Sequence, residues 1–390
     1  MECMPDSPPI HGHCDARFAG VREAFERGFR EHGEVGAAVA MTVEGRVVVD
    51  LWGGWMDQER TSEWRADTVV NVFSVGKALA TAALLRLVER GAVALDAPVA
   101  RYWPEFARRD KGAISVRALL GHRAGLPAIR RLLPDRALYD WTRMTEELAA
   151  EAPFWEPDRA HGYHVNTFGF LVGEIVRRVA GESIGAFARR EITGPLGADF
   201  RFGTGPEQAG RVADYLPGGL YREGAGEAPP VDAEYRTLLH RVYANPAGVS
   251  GMGTVNTEEW RAAELPSTNG HASARGVARL YTALACGGAA DGVRVLERET
   301  IDEAIREASS GEDFVLRRPT RFGLGFQLTM PERPFGSSAR SFGHFGAGGA
   351  LGFADPEARL AFGYAMNAAG PRFRNPRVRG LLEAVGSAVH

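Results

Sequence analysis

Lysine is almost absent from this chain of 390 residues: of 46 basic residues only Lys77 and Lys111 are lysines, and the other 44 are arginines. Cysteine is as scarce. Cys3, Cys14 and Cys286 are too few and too scattered for a disulfide framework, which excludes the small stapled folds. Neither sign of charge dominates, since 49 acids against 46 bases give a net charge of −3 and the two are interspersed. A basic stripe for nucleic acid and an acidic tail are both excluded. Long apolar runs are missing too: stretches such as GAAVAMTV (36–43) fall short of the ~18 residues that span a bilayer. The opening MECMPDSPPIHGHCDARF has no basic start followed by an apolar run, so no export signal is read there and a cytoplasmic location is expected.

What is present is enough apolar sequence, 45%, to bury a large core. Phe18, Val21, Phe25 and Phe29 recur at near-helical spacing and predict a helix over 15–32. GAAVAMTVEGRVVVDLWGG (36–54) predicts two strands joined at Glu44-Gly45. Helical patterns dominate from Val75 to about Ala308, clearest over 75–90, 167–180 and 273–286, with Asn166 and Ser273 as N-caps. Strand patterns return at 321–330, 341–346 and 351–367, the last turning at Asp355-Pro356, and a helical pattern closes the chain over 376–389. Strands at both ends with helices between them imply one sheet built from both termini. The expected organisation is a single catalytic unit over 1–390, with a sheet lobe at about 1–72 and 290–390 and a helical lobe at about 73–289. Ligands favour the cleft between such lobes. The Gly- and Pro-rich stretch 200–250 is too long for a plain connection and is expected over that cleft or on its rim.

Within NVFSVGKALATAALLRLVERG (71–91), Ser74 opens an apolar helix pattern and Lys77 lies on the same face one turn later. The backbone N–H of such a serine, with the helix dipole, favours a developing oxyanion. A neutral lysine beside it accepts the hydroxyl proton, and burial lowers a lysine pKa from its usual ~10.4. Arginine cannot be deprotonated in a protein, so a position that must offer a neutral amine rejects it. By spacing alone Ser74 reads first as a helix cap and Lys77 as a surface charge, because Ser-x-x-Lys is short and common; the rarity of lysine shifts the balance toward the chemical role. Tyr163 stands just ahead of a strong helix in HGYHVNTFGFLVGEIVRRVAG (161–181), and FGHFGAGGALGFADP (342–356) is a glycine-dense strand that a ligand can approach closely.

The ordered set DLWGGWMD, FSVGKALATAAL, DAPVARYWPEF, LLGHRAGLP, HGYHVNTFGFLVGEIVRRVAG, STNGHASARGVARLYTALA and FGHFGAGGALGFADPEARLAFGYAMN resembles the serine β-lactamase and penicillin-binding-protein superfamily. The branch it looks most like is the class C-related esterases, often called family VIII carboxylesterases. That resemblance implies an α+β fold of β-lactamase/transpeptidase type: an antiparallel sheet flanked by helices, with a mainly helical lobe. It implies Ser74 as the acylated nucleophile, Lys77 as its proton-transfer partner and Tyr163 as the tyrosine of a Tyr-x-Asn motif. His344-Phe345-Gly346 then occupies the place of Lys-Thr-Gly, and the N–H groups of Ser74 and Ala347 form the oxyanion hole. Asn166, one residue later than the motif's Asn, joins His344, Phe345 and Gly346 as substrate-binding. Val165 in the motif's Asn position and His344 in place of lysine point away from efficient lactam hydrolysis and toward esters.

The other polar clusters are read blandly. HGHC (11–14) and HGYH (161–164) lack a partner cluster at zinc spacing and read as a tail and a loop, so no metal and no cofactor is expected. His122 and His271 are read as loop anchors, and Cys286 as packing. Gly76-Lys77 is no phosphate-binding loop, because Asn71 stands where its first glycine is needed. Three functions follow: hydrolysis of a small-molecule ester or lactone through Ser74, transfer of the same acyl group to an amine or alcohol as in the transacylases of secondary metabolism, or ligand binding without catalysis. The complete Ser74, Lys77 and Tyr163 set argues against the last.

Overall fold

The predicted hairpin forms from the strands Gly36–Val43 and Arg46–Gly54, and its turn shows why Glu44-Gly45 signals one. Both residues have positive φ, 52° and 81°, the conformation that matches the twist of two tightly joined strands. A computed structural model describes residues 8–217 and 232–389, so Cys3 and part of the stretch 200–250 lie outside the described residues. The N-terminal strands are β1 (Ile10–Cys14), β2 (Gly36–Val43), β3 (Arg46–Gly54) and β4 (Val70–Phe73). The middle of the chain adds β5 (Phe200–Phe202), β6 (Gly270–Ala272), β7 (Ala289–Ala290) and β8 (Val293–Arg294). The C-terminal third supplies β9 (Ser309–Glu312), β10 (Pro319–Phe322), β11 (Gln327–Leu328), β12 (Phe342–Phe345), β13 (Leu351–Asp355) and β14 (Leu360–Met366).

Nine of these make one sheet in the order β1-β3-β2-β14-β13-β12-β11-β10-β9, antiparallel throughout. The two ends of the chain meet at its centre, where β2 pairs with β14 from Ala37–Met366 to Val43–Leu360. Both central strands are buried along almost their whole length, as continuous apolar runs covered on two faces must be. The helix Ala274–Ala285, capped by Ser273 as its sequence predicts, lies across β14, β2 and β13. It sits so close that a Cβ on Gly363 would collide with the Ala274 carbonyl. Helices Ala19–Glu31 and Pro376–Val389, from opposite ends of the chain, pack against each other.

The helix Gly76–Glu89 is buried on every side, with 11 of its residues enclosed, and packs against Thr167–Ala180 and Ile184–Ala188. A small sheet in the order β4-β6-β5 leads into it. Within the stretch 200–250 a helix, Ala233–Ala244, forms, and its Val242 packs with Tyr163, Val165, Val315 and Phe322. No helix among the described residues is long and apolar enough to cross a membrane.

Candidate active site

The turn between β4 and the helix Gly76–Glu89 creates the site. Phe73 ends the strand with φ +48°, a left-handed conformation that costs a bulky residue about 1–2 kcal/mol. Its ring is held edge-on against Tyr215 at 4.7 Å, so the strain is locked in by packing. Ser74 lies in this turn, two residues ahead of the helix, and is only partly buried. Lys77, in the first turn of the helix, is fully enclosed.

The surroundings of Lys77 explain a lysine at this position. Its Nζ donates to the carbonyls of Val165 (2.7 Å) and Ser267 (3.1 Å) and lies 3.0 Å from Ser74 Oγ. A neutral amine keeps two N–H groups for the two carbonyls and turns its lone pair on the serine hydroxyl. Burial pushes the amine well below the ordinary lysine range, toward that neutral form. Ser74 Oγ is itself 3.4 Å from the Ser267 carbonyl.

Tyr163 approaches from the other side. Its ring lies 4.9 Å from Lys77 Nζ and stacks on Phe322 at 5.7 Å and 7°. Its backbone N–H donates to both oxygens of the buried Asp313, at 3.1 and 3.0 Å, and Asp313 also gathers the amides of Val315 and Leu316. The phenol oxygen lies 3.4 Å from His344 Nε2, while His344 Nδ1 is 2.8 Å from the Phe345 carbonyl. Nδ1 therefore carries the ring proton, and Nε2 accepts from the tyrosine hydroxyl. Burial, reinforced by Lys77, pushes His344 down to about 3, so the imidazole is neutral at ordinary pH. Burial also raises the Tyr163 phenol, only partly offset by a hydrogen bond with Ser74, so the resting group is a phenol and not a phenolate.

The third element is backbone. Gly346 passes so close to β4 that a Cβ would collide with the Val72 carbonyl, which brings Ala347 beside the Ser74 turn. Among the described residues neither the Ser74 nor the Ala347 amide donates to a protein acceptor. Two uncommitted N–H groups on neighbouring segments are what an oxyanion hole requires.

The structure thus brings together Ser74, Lys77, Tyr163, His344 and the Gly346–Ala347 backbone. It corrects one expectation about Asn166, whose side chain makes no capping bond to its helix. The Asn166 amide instead donates to the Val242 carbonyl (2.6 Å) and Ser250 Oγ (2.9 Å), and Oδ1 is buried with no partner among the described residues. The Phe345 ring stacks on Phe335 at 4.9 Å and lies 5.2 Å from Phe373. The histidines of HGYH serve as braces: His161 bonds Thr320, and His164 joins the Gly162 carbonyl to the Leu126 amide. His122, fully buried, sets its ring edge against Tyr163 at 5.1 Å. Asp313 and the two carbonyls holding Lys77 were not legible, because an acid in GEDFVLRRP has no motif around it and a carbonyl has no letter of its own.

Comparison with known proteins agrees with this geometry. The family model described as Beta-lactamase matches residues 21–386. Among curated proteins, the Esterase/beta-lactamase LipL of Mycobacterium tuberculosis (strain ATCC 25618 / H37Rv) is 34% identical over 92% of this chain and 83% of its own length. Among solved structures, a family VIII carboxylesterase superposes with a TM-score of 0.88 at 38% identity, covering 97% of this chain and all (100%) of that one. A penicillin-binding-protein homologue from Caulobacter crescentus gives the same TM-score, 0.88, at 39% identity over 97% of this chain and 100% of its own. EstA of Arthrobacter nitroguajacolicus Rue61a follows at 0.84 and 33%, covering 97% of this chain and 98% of its own. The chain belongs to the beta-lactamase family, in the branch that resembles the family VIII carboxylesterases.

Proposed function

We propose that this serine hydrolase cleaves small-molecule carboxylic esters through an acyl-enzyme on Ser74. The observation that carries the proposal is the 3.0 Å contact between Ser74 Oγ and an enclosed Lys77 amine, with two unspent backbone amides alongside. Lys77 takes the hydroxyl proton as Oγ attacks the ester carbonyl, and the Ser74 and Ala347 amides hold the oxyanion. Tyr163 then hands its proton to the departing alcohol and recovers one from Lys77. Water repeats the sequence on the acyl-enzyme and releases the acid. His344 acts by orienting the Tyr163 hydroxyl, and being neutral it brings no cation to the place of the motif's lysine. That supports esters over lactams. The test is product analysis with p-nitrophenyl butyrate, with and without an added amine. Acid alone supports hydrolysis, amide supports the transacylase alternative, and no release of either overturns the acyl-enzyme.

Because Tyr163 rests as a phenol, its hydroxyl and not its ring is what the reaction uses. Tyr163→Phe keeps the stack on Phe322 and is expected to lower kcat by roughly 10²-fold or more, the usual scale for a proton-transfer group. Melting temperature should hold nearly constant; near wild-type kcat would reduce Tyr163 to packing.

The active form of Lys77 is the deprotonated one, so activity is lost as pH falls through its pKa. Burial has lowered that pKa, so the acid limb of kcat/KM is expected well below the ~10.4 of an ordinary lysine. His344 and His164, held near 3 and 4, add no inflection at the usual histidine pKa of ~6.5. A limb at the ordinary lysine value would show that the amine rests charged.

A further inference from the structure

The two amides of the proposed oxyanion hole sit on segments far apart in the chain, the turn after β4 and the turn after β12. One buried side chain, Tyr215, touches both turns. Its ring meets the Phe73 ring edge-on at 4.7 Å, and its hydroxyl donates to the Ala347 carbonyl at 3.2 Å. The same hydroxyl lies so near Gly348 that a Cβ there would come within 2.3 Å of it, and Gly348 has a φ of +79°. The other peptides of this turn are tied down by backbone and by Asn375. The Gly346 amide donates to the Ala350 carbonyl (2.7 Å), and the Gly348 carbonyl accepts from the Gly370 amide (2.8 Å) and from Asn375 Nδ2 (2.9 Å). Between them stands the Ala347 carbonyl, which Tyr215 holds.

Tyr215 is itself fixed. Asn256 brackets its backbone, Oδ1 accepting from the Tyr215 N–H (2.7 Å) and Nδ2 donating to the Tyr215 carbonyl (2.9 Å). The next residue, Leu216, joins the chain just past β14: its amide donates to the Asn367 carbonyl (2.8 Å), and its carbonyl accepts from the Ala369 amide (2.9 Å). Such rigidity has a chemical use. Oxyanion donors lower a barrier only when they already converge on the place where charge develops. That demands supports that hold them to within about 0.5 Å. The left-handed Phe73, moreover, keeps its strained backbone only while its surroundings enforce it.

We propose that Tyr215 is a positioning residue of the oxyanion hole. Through its ring it holds the Phe73 turn that carries Ser74, and through its hydroxyl it holds the turn that carries the Ala347 amide. This rests on the acyl-enzyme reading of Ser74 and extends it to a residue outside the Ser74, Lys77 and Tyr163 set.

Tyr215→Phe keeps the ring and removes the hydroxyl, whereas Tyr215→Leu removes both. With p-nitrophenyl butyrate the Phe variant is expected to lose about tenfold in kcat at nearly unchanged KM, less than the ~10²–10³ that deleting a donor costs. The Leu variant should lose about tenfold more, as the Ser74 turn shifts as well. Phenylboronic acid adds to a serine hydroxyl as a tetrahedral anion and fills the hole without turnover. Its inhibition constant should rise in the Phe variant by the same factor by which kcat falls. A packing role alone would lower Tm and the amount of folded enzyme, and neither KM nor the boronate constant depends on that amount. Wild-type kcat and boronate affinity in the Phe variant, or a loss of kcat with unchanged boronate affinity, overturns the assignment. Should Tyr215→Phe not fold, Asn256→Ala, at an exposed residue, loosens Tyr215 without altering it. It should show the same signature at smaller size, and an unchanged boronate constant there overturns the assignment equally. Failure of the acyl-enzyme reading looks different: the boronate would not inhibit the wild type, and Ser74→Ala would turn over the ester as the wild type does.

Discussion

Lys77→Met is expected to lose at least about 10³-fold in acylation rate, a barrier increase of roughly 4 kcal/mol, without loss of melting temperature. Methionine has nearly the shape of lysine and no charge to desolvate, so the enclosed site between Val165, Ser267 and Tyr163 accepts it. What disappears is the only amine 3.0 Å from Ser74 Oγ among the described residues. Lys77→Arg should be as inactive for a second reason, since a guanidinium cannot accept the serine proton at accessible pH. It should also melt lower, because the larger head overpacks a fully buried position at a cost of about 1–3 kcal/mol. The burst of p-nitrophenol from p-nitrophenyl acetate measures acylation directly. A folded methionine variant within tenfold of wild type would show that another base serves Ser74.

Ser74→Ala is expected to remove roughly 10⁴-fold or more of kcat, the scale seen when a nucleophile acting with its base is deleted. Intact-mass measurement after treatment with a fluorophosphonate should show one phosphonyl group on the wild-type chain and none on the variant. The fold should tolerate the change, because Lys77 keeps both carbonyl partners. Combining Ser74→Ala with Lys77→Met should cost little more than either alone, since the two residues act as one unit. An adduct on Ser74→Ala, or additive losses in the pair, would move the chemistry elsewhere.

Much of this site can be read from letters alone, for identifiable reasons. Ser74 and Lys77 lie only three residues apart, and the central hairpin and the helices 76–89, 167–180 and 274–285 follow strong periods. The helix Ala233–Ala244 could not be read this way. Only Tyr235 and Val242 are buried on it, too thin a stripe to stand out in a polar stretch. Asn166 looked like a cap because of its place, yet the chain from Val242 to Ser250, far off in sequence, claims its amide. The protonation state of Tyr163 is equally beyond the letters, since enclosure, which raises its phenol, dominates its environment. The rarity of lysine pointed in the right direction with too narrow a reason. Lys111, in an apparently polar stretch, is also fully buried, its ammonium held by the carbonyls of Arg108, Ala149 and Glu151. In an arginine-rich chain, lysine marks the places where a compact, tetrahedral nitrogen must fit among carbonyls. Proton acceptance is one use of such a place.

With both lysine amines enclosed, amine-directed reagents find little to react with among the described side chains of the native protein. Coupling through lysine, the default route to labelled or surface-bound enzyme, will find almost nothing to grip. The same poverty makes lysine isotopically labelled during biosynthesis a clean spectroscopic reporter, with one signal from a structural knot and one from the floor of the proposed active site.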